Sequence, residues 1–335
     1  MAEGPAKNLI TDVDGLRVGN AHDPQLRSGV TVLLPDSPVT AAVDIRGGGT
    51  GTRETQTLDV TGSISEIHGL TLSGGSAFGL DAASGVQAYL RDHKTGLHFG
   101  DVTVPIVPQA ILFDLLNGGD KDWSRRSPYQ DLGYQACEAA AADFELGTAG
   151  AGYGATTDRL KGGLGSASWS DGEVTIGALA AVNAVGNTVI GETGCFWAAP
   201  FEVGQEFGGR GWPQDFDAGA LEPSLKGTAR ENTTLCVIAT DAKLTQANLL
   251  RLAIMAQTGM ARAIYPVASP LDGDVIFAVS TGTRKEVDPF WDLATLGAHA
   301  ANTLARAIAR GIYEATAFPD DPTRIPAYRD RYAKS

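Results

Sequence analysis

A threonine pair behind an asparagine is the first feature of this sequence that could do chemistry. Asn232-Thr233-Thr234 stands where a polar, loop-like stretch meets the apolar run TLCVIAT, which is typical of a strand. If the chain is cut after Asn232, Thr233 gains a free α-amine beside its own hydroxyl, and that pair is an activated nucleophile. The ordinary pKa of an α-amine, about 7.7–8.0, suits a base at neutral pH. An uncut junction of loop and strand, or a glycosylation sequon, fits the same residues.

Three further segments carry groups that could assist such a nucleophile. Asp272-Gly273-Asp274 stands between YPVASPL and VIFAVST. Asp-Gly between two strand-like runs indicates a hairpin turn, but two carboxylates can also orient an ammonium and shift its pKa. Asn183 lies in the apolar run AAVNAVG, so its amide is either a hydrogen-bonded core group or a donor to an oxyanion. Lys161 precedes two glycines and is either a surface cation or a charge beside the nucleophile.

A serine nucleophile is the main rival. The stretch Gly75-Ser76-Ala77-Phe78-Gly79 is offset from the Gly-x-Ser-x-Gly of a nucleophile elbow, but it lies at the same kind of strand-to-helix turn. A serine hydrolase of that type also needs a downstream acid and histidine. His299 lies in a helical pattern between alanines, which favours a packed or surface histidine. The glycine loops RGGGTGTRET and SGGSAFG lack the features of nucleotide-binding loops, so close backbone packing is predicted for them.

The composition narrows the class of partner and the compartment. A net charge of -13 over 335 residues argues against nucleic acid and against an anionic membrane surface. The N-terminal residues lack a signal-peptide core and no apolar run reaches the length of a membrane span, so we expect a cytoplasmic protein. The three cysteines and the histidines lack metal-ligand spacing, so no metal, disulfide framework or cofactor is predicted.

The elements that must position these groups follow from the hydrophobic pattern. GLRVGN, VTVLLP, AAVDI and EVTIGALAAVNAVGN predict strands, and YQDLGYQACEAAAADF predicts a helix. Residues 191–231 have little periodicity and many glycines and prolines, which is typical of a functional or flexible segment. The last third predicts strand, helix, strand, helix, with Thr245 as a helix cap. Sheets covered by helices are therefore expected.

Taken together, these segments resemble one family, which contains the L-aminopeptidase/D-alanine esterases, the β-peptidyl aminopeptidases and the nylon-oligomer (6-aminohexanoate) hydrolases. The similarity runs from ITDVDGLRVGN to the helix that ends in GIYEAT, which is nearly the whole chain. The motifs that carry it are, in order, VDIRGGGTGTRET, LTLSGGSAFGLDAASGV, VPIVPQAILFDL, AGAGYGATTDRLKGGLGSAS, AVNAVGN, ENTTLCVIATDAKL and LDGDVIFAVST.

The resemblance implies an α/β (α+β) fold, the αββα sandwich of self-processing aminopeptidases and ornithine acetyltransferase-like proteins. It implies one hydrolase domain over residues 1–335, which cuts itself between Asn232 and Thr233. The products would be an α chain of residues 1–232 and a β chain of residues 233–335 that stay together.

The resemblance also implies a role for each candidate residue. Thr233 matches the family's nucleophile. Lys161 and Asn183 match positions that stabilise charge and the oxyanion. Asp272 and Asp274 match a pair that orients the nucleophile's amine.

The implied activity is hydrolysis, without metal or cofactor, of short peptides, aminoacyl amides or esters, or 6-aminohexanoate oligomers. A homo-oligomer is implied too, commonly a tetramer. Phe78 departs from the pattern, because several relatives carry Tyr there, and this places Phe78 among the residues expected to shape the substrate pocket.

Three other interpretations stay open. An acyltransferase of the ornithine acetyltransferase type resembles this family in fold and also cuts itself before a threonine, but an amine captures its acyl group. A hydrolase based on Ser76 would keep its activity after replacement of Thr233. A non-catalytic binding protein would stay one uncut chain.

Overall fold

The computed structural model describes residues 7–215, 218–226, 232–320 and 324–332. The stretch 227–231, which leads to Asn232, and residues 216 and 217 of the irregular segment lie outside the described residues. The strands of the described part are β1 (Leu16–Asp23), β2 (Ser28–Pro35), β3 (Val39–Ile45), β4 (Gly51–Arg53), β5 (Glu66–Ile67), β6 (Leu70–Ser73), β7 (Leu97–Phe99), β8 (Val102–Val104), β9 (Gln109–Ile111), β10 (Gly163–Ser170), β11 (Thr175–Asn183), β12 (Thr233–Thr240) and β13 (Val275–Ser280). The α-helices are α1 (Ala82–Asp92), α2 (Tyr129–Glu138), α3 (Gln246–Ala261), α4 (Trp291–Glu314) and α5 (Tyr328–Tyr332).

Two mixed sheets lie face to face between two pairs of helices. One sheet has the strand order β1-β2-β6-β9-β4, and the other has the order β10-β11-β12-β13-β3-β5. Helices α1 and α2 cover the outer face of the first sheet, and α3 and α4 cover the outer face of the second. The layers are therefore α, β, β, α, which confirms the fold class expected from the sequence.

Strand β12 is buried on both faces, because it runs through the middle of the larger sheet. Leu235 and Val237 pack into the core between the sheets, while Cys236 and Ile238 pack under α3 and α4. Side chains alternate along a strand, so Thr233 shares the inter-sheet side with Leu235. The uninterrupted apolar run of β12 is typical of a strand that has cover on both sides.

Helix α4 lies unusually close to β10, a strand that the hydrophobic pattern did not indicate. A Cβ at Gly165 would lie 1.9 Å from the carbonyl oxygen of Ala307, and one at Gly163 would lie 2.3 Å from that of Gly311. The glycines and serines of GLGSASWS lower its strand propensity. They are nevertheless the residues that allow α4 to approach the strand.

The last third of the chain follows the predicted order of strand, helix, strand, helix. Thr245 caps α3 as expected, because its side chain accepts the N–H of Asn248 at 3.2 Å. The hairpin interpretation of Asp272-Gly273-Asp274 is wrong, because no strand in the described residues ends just ahead of this turn. β13 begins at Val275 and runs parallel to β12, reached through α3.

Candidate active site

The candidate nucleophile lies at the first position of β12, at the edge of the inter-sheet core. Thr233 is Asn183's register partner across the antiparallel pair of β12 and β11. Both residues belong to the inter-sheet side of their strands, where Leu179 and Ala181 precede Asn183. Thr233 and Asn183 are both buried. The structure therefore brings together two residues that are fifty positions apart in the sequence.

A cleft of about 340 Å³ opens above Thr233. Its walls come from the glycine loop after β3, from the turn after β6 and from the end of β9, so it lies between the two sheets. The lining residues are Gly49, Thr50, Gly51, Ser76, Ala77, Leu80, Ile111, Phe113 and Thr233. None of these lining residues carries a charged side chain.

The carbonyl oxygen of Asn232 accepts two hydrogen bonds. The backbone N–H of Gly273 donates to it at 2.6 Å, and the Thr233 hydroxyl donates to it at 2.6 Å. A Cβ at position 273 would lie 2.5 Å from the Thr233 hydroxyl oxygen, so only glycine fits there. The glycine loop is held to the same turn, because the N–H of Gly49 donates to the Asp272 carbonyl at 2.8 Å. The predicted role of that loop in close backbone packing agrees with these contacts.

Asp272 and Asp274 flank Gly273 and are buried. Asp274 accepts the N–H of Thr234 at 2.7 Å and that of Ala268 at 2.9 Å. Asp272 accepts the N–H of Val185 at 3.1 Å. Burial and the neighbouring charge of Asp272 raise the pKa of Asp274 well above the ordinary carboxyl value. The pair is thus fixed beside β12, and Asp274 binds the peptide that follows Thr233.

The orientation of the Asn183 amide is set by its partners. Its oxygen accepts the N–H of Thr156 at 3.0 Å and the ammonium of Lys226 at 3.2 Å. Its nitrogen donates to the carbonyl of Phe113 at 2.9 Å, and Phe113 lines the cleft. The N–H₂ group of Asn183 therefore points to the cleft side, where an oxyanion donor is required.

Lys161 is fully buried just ahead of β10. Its ammonium donates to the carbonyls of Gly152, Ala155 and Gly162 at 3.3, 2.8 and 3.0 Å. Its charge acts on Asp114, a buried carboxyl at the end of β9. Lys161 is therefore a core cation with a cage of carbonyl groups, and the surface interpretation of this lysine does not apply.

Lys226 and Asp114 are two charged residues near the site that sequence reasoning missed. Lys226 lies in the aperiodic segment, so no pattern indicates that its ammonium reaches Asn183. Asp114 did leave a signal, since a carboxylate ends the apolar run AILFD. Asp114 accepts the N–H of Gly75 at 2.8 Å and the hydroxyl of Ser28 at 2.6 Å, so it supports the turn that carries Ser76. Burial raises the pKa of Asp114, which the charge of Lys121 partly offsets.

Ser76 and Phe78 lie on the turn that faces Thr233. Ser76 has a φ of 51°, a strained value for a residue with a side chain, and it lines the cleft. Phe78 is 53% exposed, is absent from the lining and packs edge-on against Trp123. His299, on α4, stacks on Trp169 of β10. The contacts of the described histidines are all with residues other than Ser76, so no hydrogen-bonded serine–histidine pair forms there.

Comparison with solved structures gives the class of fold. The chain superposes on the L-aminopeptidase D-Ala-esterase/amidase of Ochrobactrum anthropi with a TM-score of 0.71 and 22% identity, over 98% of this chain and 92% of the other. A Burkholderia sp. beta-aminopeptidase gives a TM-score of 0.68 and 22% identity over 94% and 89% of the two chains. The former was described as a new variant of the Ntn hydrolase fold. The fold of this chain is that Ntn hydrolase variant.

Sequence comparison gives the family. The model of peptidase family S58 matches residues 8–322, so the chain belongs to this family and is a hydrolase. An uncharacterized aminopeptidase of Mycobacterium tuberculosis is 44% identical over 97% of this chain and 98% of its own length. The 6-aminohexanoate-oligomer endohydrolase of Paenarthrobacter ureafaciens is 29% identical over 82% of this chain and 75% of its own length.

No group of three or more His, Cys, Asp and Glu side chains could hold a metal ion within the described part of the chain. Among the helices described, none combines the length and the apolar character needed to cross a membrane.

Proposed function

We propose that the chain cuts itself between Asn232 and Thr233 and then acts as an amide hydrolase with Thr233 as its N-terminal nucleophile. The observation that carries the proposal is the double contact on the Asn232 carbonyl oxygen. The hydroxyl of Thr233 and the N–H of Gly273 both lie 2.6 Å from that oxygen. A nucleophile and a polarising donor thus meet at one peptide bond of the chain itself.

In the first reaction, the Thr233 hydroxyl oxygen attacks the carbonyl carbon of Asn232. The Gly273 N–H stabilises the charge that develops on the carbonyl oxygen. The bond from that carbon to the Thr233 nitrogen breaks, the nitrogen takes up the hydroxyl proton, and an ester remains. Water then hydrolyses the ester and releases the carboxyl terminus at 232 and the free amine at 233. The two chains are residues 1–232 and 233–335, which β12 and its neighbours keep together.

In the second reaction, the free amine of Thr233 accepts the proton of the hydroxyl as that oxygen attacks a substrate carbonyl. Asp272 and Asp274 orient the amine, and the N–H₂ group of Asn183 stabilises the oxyanion. The amine returns its proton to the leaving group, and water releases the acyl group from Thr233. Lys161 contributes a fixed positive charge behind the site. No step requires a metal or a cofactor.

The cleft supports a substrate that is neutral where it meets the walls. Among the described residues its lining is apolar or carries hydroxyl groups, without a charged side chain. Short peptides, aminoacyl amides or esters, and amide oligomers are the substrate classes proposed, with the acyl portion in this cleft. The names of the relatives, aminopeptidase and 6-aminohexanoate-oligomer endohydrolase, agree with this range.

The setting of the enzyme is also proposed. We infer a cytoplasmic homo-oligomer, and the acidic chain argues against nucleic acid and membranes as partners. Exposed apolar side chains on the hairpin of β7 and β8 support self-association, since Phe99 is 65% and Val102 is 59% exposed in the single chain. Large exposed apolar residues that lie together are typical of interfaces.

Two alternatives stay distinct in experiment. An acyltransferase of the ornithine acetyltransferase type would use the same Thr233 ester but would pass the acyl group to an amine. A hydrolase based on Ser76 is favoured only by the strained φ of that residue and its place on the cleft.

Intact-mass spectrometry of the denatured protein tests the proposal, with wild type beside Thr233→Ala and Thr233→Ser. We expect two wild-type fragments that join after Asn232, one uncut Thr233→Ala chain, and cleavage in Thr233→Ser, which keeps a hydroxyl. Hydrolysis of an aminoacyl amide should be lost with Thr233→Ala. A wild-type chain that stays whole, or a Thr233→Ala variant with full hydrolytic activity, would contradict the proposal and favour Ser76.

A further inference from the structure

Lys226 joins the segment ahead of the scissile bond to the centre of the site. It lies six residues before Asn232 in the sequence. Its ammonium donates to the Asn183 amide oxygen at 3.2 Å and to the carbonyl of Thr156 at 3.2 Å. Its backbone N–H donates to the carbonyl of Val185 at 2.9 Å. One residue thus contacts the strand end that carries Asn183 through both its main chain and its side chain.

A second contact anchors the same segment. The hydroxyl of Ser224 donates to the carboxylate of Asp158 at 2.6 Å, and Arg159 donates to Ser224 at 3.3 Å. Residues 224 and 226 are therefore held against the turn that precedes β10 and the end of β11. These contacts fix the position of residues 224 and 226, from which the chain continues to Asn232.

The ammonium also decides how the Asn183 amide is oriented. Two donors, the N–H of Thr156 and Lys226, converge on its oxygen, which leaves the N–H₂ group for the Phe113 carbonyl on the cleft side. Without Lys226, a single neutral hydrogen bond holds the oxygen. A hydrogen bond to a charged group stabilises more than a neutral one does.

We propose that Lys226 is a positioning residue for self-cleavage, which acts through its ammonium by anchoring the pre-cleavage segment and by fixing the Asn183 amide beside Thr233. This inference rests on the self-cleavage proposed above. On this inference, the segment around Lys226, which lies near the end of the proposed α chain, helps to form the active site.

The charges around Lys226 make its protonation testable. The carboxylates of Asp114, Asp272 and Asp158 favour its charged form, and Arg159 approaches from the Ser224 side. Burial outweighs these carboxylates and lowers the pKa of Lys226 to about 8. The ammonium is therefore present below about pH 8 and is lost as the pH rises through that value.

The experiment follows self-cleavage over time by intact mass from pH 6 to pH 10 in freshly made chains. The variants are Lys226→Met, Lys226→Arg and, as a matched control, Lys243→Met at an exposed lysine. We expect wild type and the control to slow as the pH rises through about 8. Lys226→Arg should keep the fast rate without the alkaline fall, because a guanidinium stays charged. Lys226→Met should be roughly tenfold to a hundredfold slower at pH 7 and should also lack the fall.

The outcomes separate this inference from the proposed function. Thermal unfolding of the variants shows whether slow cleavage arises from poor folding. Lys226→Met chains that cut at the wild-type rate, or that are slow but keep the alkaline fall, would overturn the inference and leave self-cleavage intact. A wild-type chain that never cuts would overturn the proposed function, and this inference with it.

Discussion

The N–H of Gly273 donates to the carbonyl oxygen of Asn232 at 2.6 Å, so the turn between two buried carboxylates holds the bond that precedes the candidate nucleophile. The parallel bridge between Asn232 and Asp272 fixes this contact at the ends of β12 and β13. Two adjacent strand ends of one sheet therefore supply the nucleophile and the donor. Gly273 lies two residues ahead of β13, and the bridge and the two strand starts hold its turn against β12, which suits a site that must be held rigidly.

Gly273→Ala is expected to slow self-cleavage roughly a hundredfold, because misplacing a reacting group by about an ångström has an effect of that order. The added methyl group would lie 2.5 Å from the Thr233 hydroxyl oxygen and would push it away from the Asn232 carbonyl. The rate is measured by intact mass, and Gly62→Ala, on an exposed turn, is the control expected to cut normally. Equal rates for the two variants would show that this close approach has no role in cleavage.

The neutral cleft predicts a preference among substrates. The processed enzyme should hydrolyse an aminoacyl amide with an apolar side chain roughly tenfold faster, in kcat/KM, than one with a charged side chain, because burying an unpaired charge against this lining is unfavourable. The comparison uses one leaving group for both substrates, so that the acyl portion alone changes. A faster reaction of the substrate with the charged side chain would mean that a charged partner from outside the described lining completes the site.

Asp274 predicts the acid side of the pH–rate profile. Burial and Asp272 raise the pKa of Asp274. If the carboxylate form orients the amine of Thr233, kcat/KM falls as the pH drops through this raised value. Asp272→Asn removes the neighbouring charge, so the acid limb should move to lower pH by roughly one unit, whatever the change in the maximal rate. Asp36→Asn, at an exposed ion pair with Arg17, should leave the limb in place. An unmoved limb in Asp272→Asn would exclude Asp274 as the titrating group.

Some elements of the fold and the site could be predicted from the sequence, and others could not. The αββα layers, β12 and the cap of α3 follow from hydrophobic periodicity and family resemblance. Strand β10 was not predicted, because its glycines and serines have low strand propensity. These small residues are required by the close approach of α4, which is a tertiary contact that local sequence propensity does not reveal. The sequence pattern of Asp272-Gly273-Asp274 predicted a hairpin turn. In the structure this turn instead precedes β13, which pairs in parallel with β12 and is reached through α3. No sequence pattern predicted the role of Lys226, because it lies in an aperiodic segment and its contacts form only where that segment packs against the folded sheet.

A buried ion pair outside the site predicts a measurable loss of stability. Arg306 of α4 donates to both carboxylate oxygens of Glu206, at 2.6 and 2.9 Å, and both side chains are at most 8% exposed. Asn8 completes the cluster, because its amide nitrogen donates to Glu206 and its oxygen accepts from Arg306. The cluster joins the segment before β1 to the irregular segment and α4.

Arg306→Met, made in an uncut Thr233→Ala background, should lower the free energy of unfolding by about 3 kcal/mol at pH 7, because the buried carboxylate of Glu206 loses both hydrogen bonds from Arg306 and keeps only Arg310, at 3.9 Å, as a cation. Burial raises the pKa of Glu206, but the hydrogen bond and the charge of Arg306 outweigh it, and the pKa is lowered from 4.5. The stabilisation is therefore complete above that ordinary value and is lost as the pH falls through the lowered one. In Arg306→Met the carboxyl stays buried and loses the hydrogen bonds and the charge of Arg306, so its pKa should rise. The unfolding free energies of Thr233→Ala with and without Arg306→Met should therefore approach each other as the pH falls from 7 to 4.

Urea denaturation measures the unfolding free energy of each variant at each pH. The control Arg17→Met, at the exposed pair with Asp36, should change stability by less than about 1 kcal/mol. A constant difference between the curves at all pH values would show that Arg306 stabilises the fold by packing and not by its charge.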